Sequence, residues 1–293
     1  MNFAIRYLTE YRYDAPVTDN LNALRVRPAT TANQRVDDFH VRTDPEARLA
    51  RHTDYFGTEV IEFGIAGPHD HMSIDVSARV VTREPPETPA EPWDELSTDA
   101  YAEAAGEFLL ATGDEPPPGA LDELHSVARA STPLATVRLI SELIPDRFTY
   151  DQDKTYVGST VSDLLAAGGG VCQDFVHLAL MLLRGHGIAA RYVSGYLWAA
   201  PREDGADSLE VQTHAWLEAL VPSGGTRGEP VWVGADPTNR RLAGETHVKI
   251  GHGRTYADVP PIKGVYRGTA GSHLEASVRM HRTDTDTASA ARA

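Results

Sequence analysis

The stretch "GGGVCQDFVHLALMLLRGHGI" at 168–188 holds the chain's single cysteine, Cys172. Gly168, Gly169 and Gly170 lead into it, and an apolar pattern of helical period follows. Positions 172, 175, 179 and 182 (Cys, Phe, Ala, Leu) share one helical stripe, so the thiol faces the packed side. Gln173, His177 and Arg184 fall on the opposite side. A helix N-terminus presents unpaired N–H groups and partial positive charge, and both favour thiolate over thiol. Glycine lets the backbone approach its neighbours closely at such a junction. The pattern suits a nucleophile; a lone cysteine packed as a small hydrophobe is the plainer alternative.

A thiolate nucleophile needs a base, and the base needs a group to orient it. With 12 histidines in the chain, setting must decide. His214 opens "THAWLEALV", where Ala215, Leu217 and Ala219 alternate with His214, Trp216 and Glu218. A strand would hold the ring rigidly, and Trp216 would shield it from water. In "VWVGADPTN", Asp236 ends a second strand on the same face as Trp232, before Pro237. Antiparallel pairing of the two strands would set Asp236 beside His214. The plainer readings are a satisfied strand histidine and a turn-initiating aspartate. A metal at Cys172, His177 and His214 fails, because positions five apart point to different helix faces. His69, Asp70 and His71 read as a polar turn after Pro68. Asp174 and His177, three apart, read as structural supports that could pair on the helix surface. No nucleotide-binding glycine loop, zinc-type cysteine pair or internal repeat is present, so no cofactor is expected.

The elements that must carry these residues follow from periodicity. Phe3, Ile5, Tyr7, Thr9, Tyr11 and Tyr13 alternate with polar neighbours, as do Met72, Ile74, Val76, Ala78 and Val80. With shorter strands at "FHVRT" and "YFGTEVIEFGI", residues 1–83 read as an antiparallel β domain of sandwich type. Residues 84–95 form a proline-rich linker. Helices are expected at about 96–112, 119–130 and 133–145, with Pro133 in a first turn. The helix after Cys172 should reach about His186 and stop at Gly187. Strands are expected in "ARYVSGYLW", "THAWLEALV" and "PVWVGADP". The small polar tail, 281–293, is expected to be disordered.

The 293 residues include 42 acidic and 27 basic side chains, a formal charge of -15. Such a surface repels phosphate backbones and anionic lipid, which argues against nucleic acid and membrane as partners. One cysteine allows no internal disulfide, and neither a signal peptide nor a long apolar run is evident, so a cytoplasmic protein is expected.

Three ordered blocks, "GVCQDFVHLALMLLRGHGIAARYVSGYL", "THAWLEALVP" and "WVGADPTN", resemble the core of the transglutaminase-like superfamily. "AIRYLTEYRYDAPV" resembles the start of the N-terminal domain of its bacterial members, and "GRTYADVPPIKGVYRG" resembles their closing segment, with Thr255 where Asp is more usual. The resemblance implies an α+β fold: an N-terminal antiparallel β domain, then a helical connector and papain-like catalytic domain over 96–280. It also implies a Cys–His–Asp triad of Cys172, His214 and Asp236. The Cys172 N–H is a natural first oxyanion donor, with Gln173 and Tyr156 as candidates for the second. The implied activity is thiol-dependent acyl chemistry on the amide bonds of a protein or peptide substrate. Hydrolysis is favoured over amine transfer to glutamine because it demands fewer special features. A catalytically silent binding module of the same fold is the rival.

Overall fold

A computed structural model describes residues 1–113, 115–199, 208–211, 213–223 and 229–283, with side chains for all but 208–211. Five strands open the chain: β1 (Asn2–Leu24), β2 (Gln34–Asp44), β3 (Ala50–Thr53), β4 (Glu59–Ile65) and β5 (His69–Thr82). Helices α1 (Asp99–Ala105), α2 (Asp122–Val127) and α3 (Pro133–Arg147) follow, with single 3-10 turns on either side of α1. Next come β6 (Thr149–Tyr150), α4 (Val161–Ala167), β7 (Gly169–Gly170) and α5 (Cys172–Gly185). Apart from a 3-10 turn at Tyr256–Asp258, the remaining elements are strands: β8 (Ala190–Leu197), β9 (Ser208–Val211), β10 (Thr213–Val221), β11 (Val231–Asp236), β12 (Arg241–Leu242), β13 (His247–Gly253), β14 (Ile262–Arg267) and β15 (Ser272–Arg282).

Strand β1 is the spine of the N-terminal region. Its first half pairs antiparallel with β5 and β15. Its register with β5 shifts between Arg12 and Val17, and its second half pairs with β4 and β14 instead. The chain thus turns from one layer to the other at the bulge. Phe3, Ile5, Tyr7, Met72, Ile74, Val76 and Val80 are all buried between the layers, as the period of two requires. His69 is also buried: its Nε2 meets Asn20 Nδ2 at 3.1 Å, and it begins β5 rather than forming a polar turn.

Strands β14 and β15 belong to this sheet, although the sequence reading assigned everything up to 280 to the catalytic domain. Without β15 the first half of β1 would present an open edge. Val278 and Met280 point into the N-terminal core, but residues 272–276 are exposed on both faces, so the alternation is too short to read. Residues 284–293, most of the expected disordered tail, lie outside the described residues.

The C-terminal region is built on a second sheet, ordered β12-β11-β10-β8-β13. Ala215, Leu217, Ala219 and Val221 of β10 join Val233 and Ala235 of β11 in the core beneath α5. Phe175, Ala179 and Leu182 are buried in that core, on the stripe expected from their spacing. Tyr196, Trp198, Val248 and Ile250 instead join the N-terminal core, where Trp198 lies 5.8 Å from Phe3 and Tyr196 lies 6.3 Å from Tyr7. The two regions therefore share one apolar interface. No helix of the described residues is long and apolar enough to cross a membrane.

Helix α3 starts at Pro133 with Thr132 as its cap, as expected. Helices α1 and α2 are shorter than the periodicity suggested. Helix α4 was not foreseen; its start signal is the Thr160–Asp163 capping box, in which Asp163 also accepts the Thr160 N–H.

Candidate active site

The junction before Cys172 explains the three glycines. Gly168 ends α4 with φ 65°, the left-handed conformation that glycine adopts without penalty. A Cβ on Gly169 would lie 2.4 Å from the Thr149 carbonyl oxygen, across the β6–β7 pair. A Cβ on Gly170 would lie 2.5 Å from Asp174 Oδ2. That carboxylate oxygen accepts the Val171 N–H at 2.8 Å and the Thr155 hydroxyl at 2.6 Å. Asp174 thus ties the first turn of α5 to the preceding loop and holds Cys172 at the helix start. The first-turn N–H of Cys172 has no acceptor within the helix.

Cys172 is half-buried. His214 comes from β10, and Asp236 ends β11. The strands pair antiparallel with Leu217 opposite Ala235, which brings the two side chains together: His214 Nε2 donates to Asp236 Oδ2 at 2.9 Å. Burial alone would lower the His214 pKa. Hydrogen bonds with Asp236 and Cys172, and the charges of both, reverse that and raise it to about 9. The imidazole is thus flanked by the carboxylate and the thiol.

Asp236 is fully buried yet saturated with donors. Oδ1 accepts the backbone N–H groups of Thr238 and Asn239 at 3.0 and 3.1 Å. Oδ2 accepts from His214, from Asn239 Nδ2 at 2.7 Å and from His247 Nε2 at 3.1 Å. Burial pushes this carboxyl up, but the His214 and His247 hydrogen bonds outweigh it and hold it well below the usual carboxylate range. The plainer reading of Asp236 as a turn former is therefore also correct: one oxygen shapes the turn and the other orients the base.

His247 was missed in the sequence. It lies on β13, 33 positions beyond His214 in a segment without clear alternation, so spacing gave no signal. Its Nδ1 accepts the Gly244 N–H at 3.2 Å, which leaves the proton on Nε2, facing Asp236. His214, Asp236 and His247 do bring ligand atoms within 4.8 Å of one another. A metal does not fit them, because His247 Nε2 carries its proton and Asp236 already accepts five hydrogen bonds. Trp216 packs over both imidazoles, 6.3 Å from His214 and 5.2 Å from His247. Its ring lies where a side chain on Gly195 would be, with Cη2 2.5 Å from the Cβ position.

The two second-donor candidates stand elsewhere. Tyr156 is 74% exposed, and no described contact joins its hydroxyl to Cys172. Gln173 is buried and lines a cavity of about 140 Å³ with His177, Leu180 and Arg184, which Cys172 does not line. Tyr150 and Tyr192 both feel the Cys172 charge: burial raises each phenol, and that charge raises both further. His177 does not pair with Asp174 on the surface. It is largely buried, its Nε2 accepts the Tyr256 N–H at 3.2 Å, and burial pushes its pKa down to about 4.

Residues 3–81 match the model of the bacterial transglutaminase-like N-terminal region, and residues 124–237 match that of the transglutaminase-like superfamily. An uncharacterised protein of Mycobacterium leprae is 34% identical over 278 residues, which cover 94% of this chain and 96% of that protein. One from Mycobacterium tuberculosis is 34% identical over 295 residues, covering 94% and 91%. The crystal structure of a candidate cysteine protease from Cytophaga hutchinsonii superposes with a TM-score of 0.71 at 22% identity, covering 97% of this chain and 92% of that one. With Cys172, His214 and Asp236 inside or next to the matched core and β1–β5 inside the matched N-terminal region, the chain belongs to the transglutaminase-like superfamily, in its bacterial form with an N-terminal β domain.

Proposed function

We propose that the protein is a thiol-dependent peptidase or amidase working through Cys172, His214 and Asp236. The observation that carries this reading is the His214 imidazole, bonded to buried Asp236 on one side and acted on by Cys172 on the other. With the His214 pKa at about 9 the thiol proton rests on the imidazole, and the Cys172 thiolate Sγ attacks the carbonyl carbon of an amide. The oxyanion that forms is met by the Cys172 N–H at the start of α5. The C–N bond breaks as His214 protonates the departing amine, leaving an acyl-thioester. Water, deprotonated by His214, then attacks the thioester and releases the acid and the thiol.

Transfer to an amine would need a site that binds the amine and excludes water. Three tryptophans could have walled such a channel, but none has a described contact with Cys172. Trp198 is in the shared core, Trp216 covers the imidazoles, and Trp232 lies under the Arg191 guanidinium at 3.9 Å. That supports water as the acceptor. The test is a glutamine-containing peptide pool, with and without millimolar cadaverine, read by mass spectrometry. Cleavage or deamidation that is lost in Cys172→Ala is expected. Efficient Cys172-dependent cadaverine incorporation would replace hydrolysis with amine transfer, and a silent chain would point to a binding module.

A further inference from the structure

Beside the triad, at the β11 side of the sheet and reaching over the face opposite α5, lies a cavity of about 860 Å³. Trp216, Glu218, Trp232 and Gly234 reach it because they alternate with the residues buried under α5. The proline-rich segment 83–89 and the loop 31–34 form its other side. A volume of this order suits a drug-sized ligand.

The lining runs against the charge of the chain. Four cationic side chains, Arg83, Arg138, Arg191 and Lys249, face three carboxylates in a protein of formal charge -15. The imbalance is deepest in the buried part. Arg191 Nη2 and Lys249 Nζ both contact Glu218, at 2.6 and 2.7 Å, and all three side chains are at most 15% exposed. Two cations on one carboxylate leave one buried positive charge without a carboxylate; beyond Glu218, Arg191 meets only the Trp232 and Phe108 rings, 3.9 and 5.8 Å from its guanidinium, and His252. His252, whose Nε2 meets Arg191 Nη1 at 3.1 Å, adds no negative charge. Lys249 spends two of its three N–H donors on Glu218 and keeps one. Glu84 and Glu87 belong to the exposed strap, away from the buried trio, and Glu84 also accepts the Glu245 N–H at 3.0 Å. Apolar surface surrounds the charge, from Trp232, Leu134, Leu242 and the prolines of the strap.

We propose that this cavity binds an apolar or aromatic carboxylate, its acid seated by Lys249 and Arg191 and its body laid against Leu134, Leu242 and the proline strap. Two of its wall residues touch the triad. His247 donates to Asp236, and Trp216 packs against His214. Occupancy is therefore felt at the thiol, and the cavity is an effector site rather than the place of acyl chemistry, since Cys172 and His214 do not line it.

The experiment uses three probes of one shape on the full chain: 2-naphthoate, 2-naphthalenemethanol and 2-naphthylmethylamine. Binding is read by calorimetry and tryptophan fluorescence, in wild type and in Cys172→Ala, so that failure of the acyl chemistry does not bear on the result. Naphthoate should bind at least tenfold more tightly than the alcohol, with the amine weakest. Lys249→Met should weaken naphthoate at least tenfold. Arg138→Glu, at an exposed rim position that leaves the core intact, should weaken it severalfold. Saturating naphthoate should change the rate of Cys172 alkylation at least twofold in wild type. Equal binding of the three probes, or naphthoate binding unmoved in Arg138→Glu and Lys249→Met, would overturn the site. Binding without any change at Cys172 would overturn the link to the triad.

Discussion

Replacing Asp236 by Asn keeps the shape of the side chain and inverts half of its hydrogen bonding. The two backbone N–H groups of Thr238 and Asn239 require an acceptor at the Oδ1 position, so the amide oxygen must stay there. The amide NH2 then occupies the Oδ2 position and faces three groups that had donated to it: His214 at 2.9 Å, Asn239 at 2.7 Å and His247 at 3.1 Å. His247 cannot answer by moving its proton, because its Nδ1 faces the Gly244 N–H. His214 can, by placing its proton on the nitrogen turned towards Cys172. That tautomer cannot accept the thiol proton. The loss expected in turnover is on the order of 10⁴-fold, the scale known for the same exchange in a serine triad. Opening a buried ionic hydrogen-bonded pair costs about 3–5 kcal/mol, and a chain of this size should melt on the order of 10 °C lower. The His214 pKa should fall from about 9, since burial is then opposed by Cys172 alone. The assay is peptide cleavage beside iodoacetamide alkylation of Cys172 across pH, with a melting curve for the fold. An Asp236→Asn protein within tenfold of wild type in both rates would refute the orienting role.

Three further outcomes are expected. His247→Phe removes a donor to a charged group, about 1.5 kcal/mol, so Cys172 alkylation should slow roughly tenfold, whereas His247→Gln, whose amide can still donate, should stay near wild type; equal rates in both would show that His247 only fills space. Gly170→Ala should drive Asp174 off the Val171 N–H, with a loss of about 1–3 kcal/mol in urea unfolding and a slower thiol; an unchanged midpoint would mean that the turn relaxes freely. His177 is neutral in the fold, with its pKa lowered from 6.5 to about 4, so its contribution is complete above pH 6.5 and is lost as pH falls towards 4. It amounts to about 3 kcal/mol, and His177→Gln should flatten that acid limb of stability.

What could be read in the sequence was whatever depends on local period. The strand at Phe3–Tyr13, the stripe under α5 and the strands bearing His214 and Asp236 each declare themselves by alternation or helical spacing, and antiparallel pairing of two neighbouring strands suffices to join His214 to Asp236. What escaped depends on distant pairing. Strand β15 lies opposite β1 across nearly the whole chain, and half of its length has no buried side. His247 reaches Asp236 only because β13 pairs with β8, on the far side of β10, with a register shift between Lys249 and Gly251. The surplus cation beside the triad was equally hidden, since Arg191, Glu218 and Lys249 come from three strands.

The most direct measurement is the rate at which iodoacetamide labels Cys172 in the native chain between pH 5 and 9, located by peptide mapping. A thiol held at a helix start against an imidazole raised to about 9 should react at pH 6–7 far faster than a free thiol of pKa ~8.5. His214→Ala should remove that advantage, and Cys172→Ser should melt within a few degrees of wild type. A native rate that follows an ordinary thiol, or label that appears only after unfolding, would contradict the assignment of Cys172 as the nucleophile.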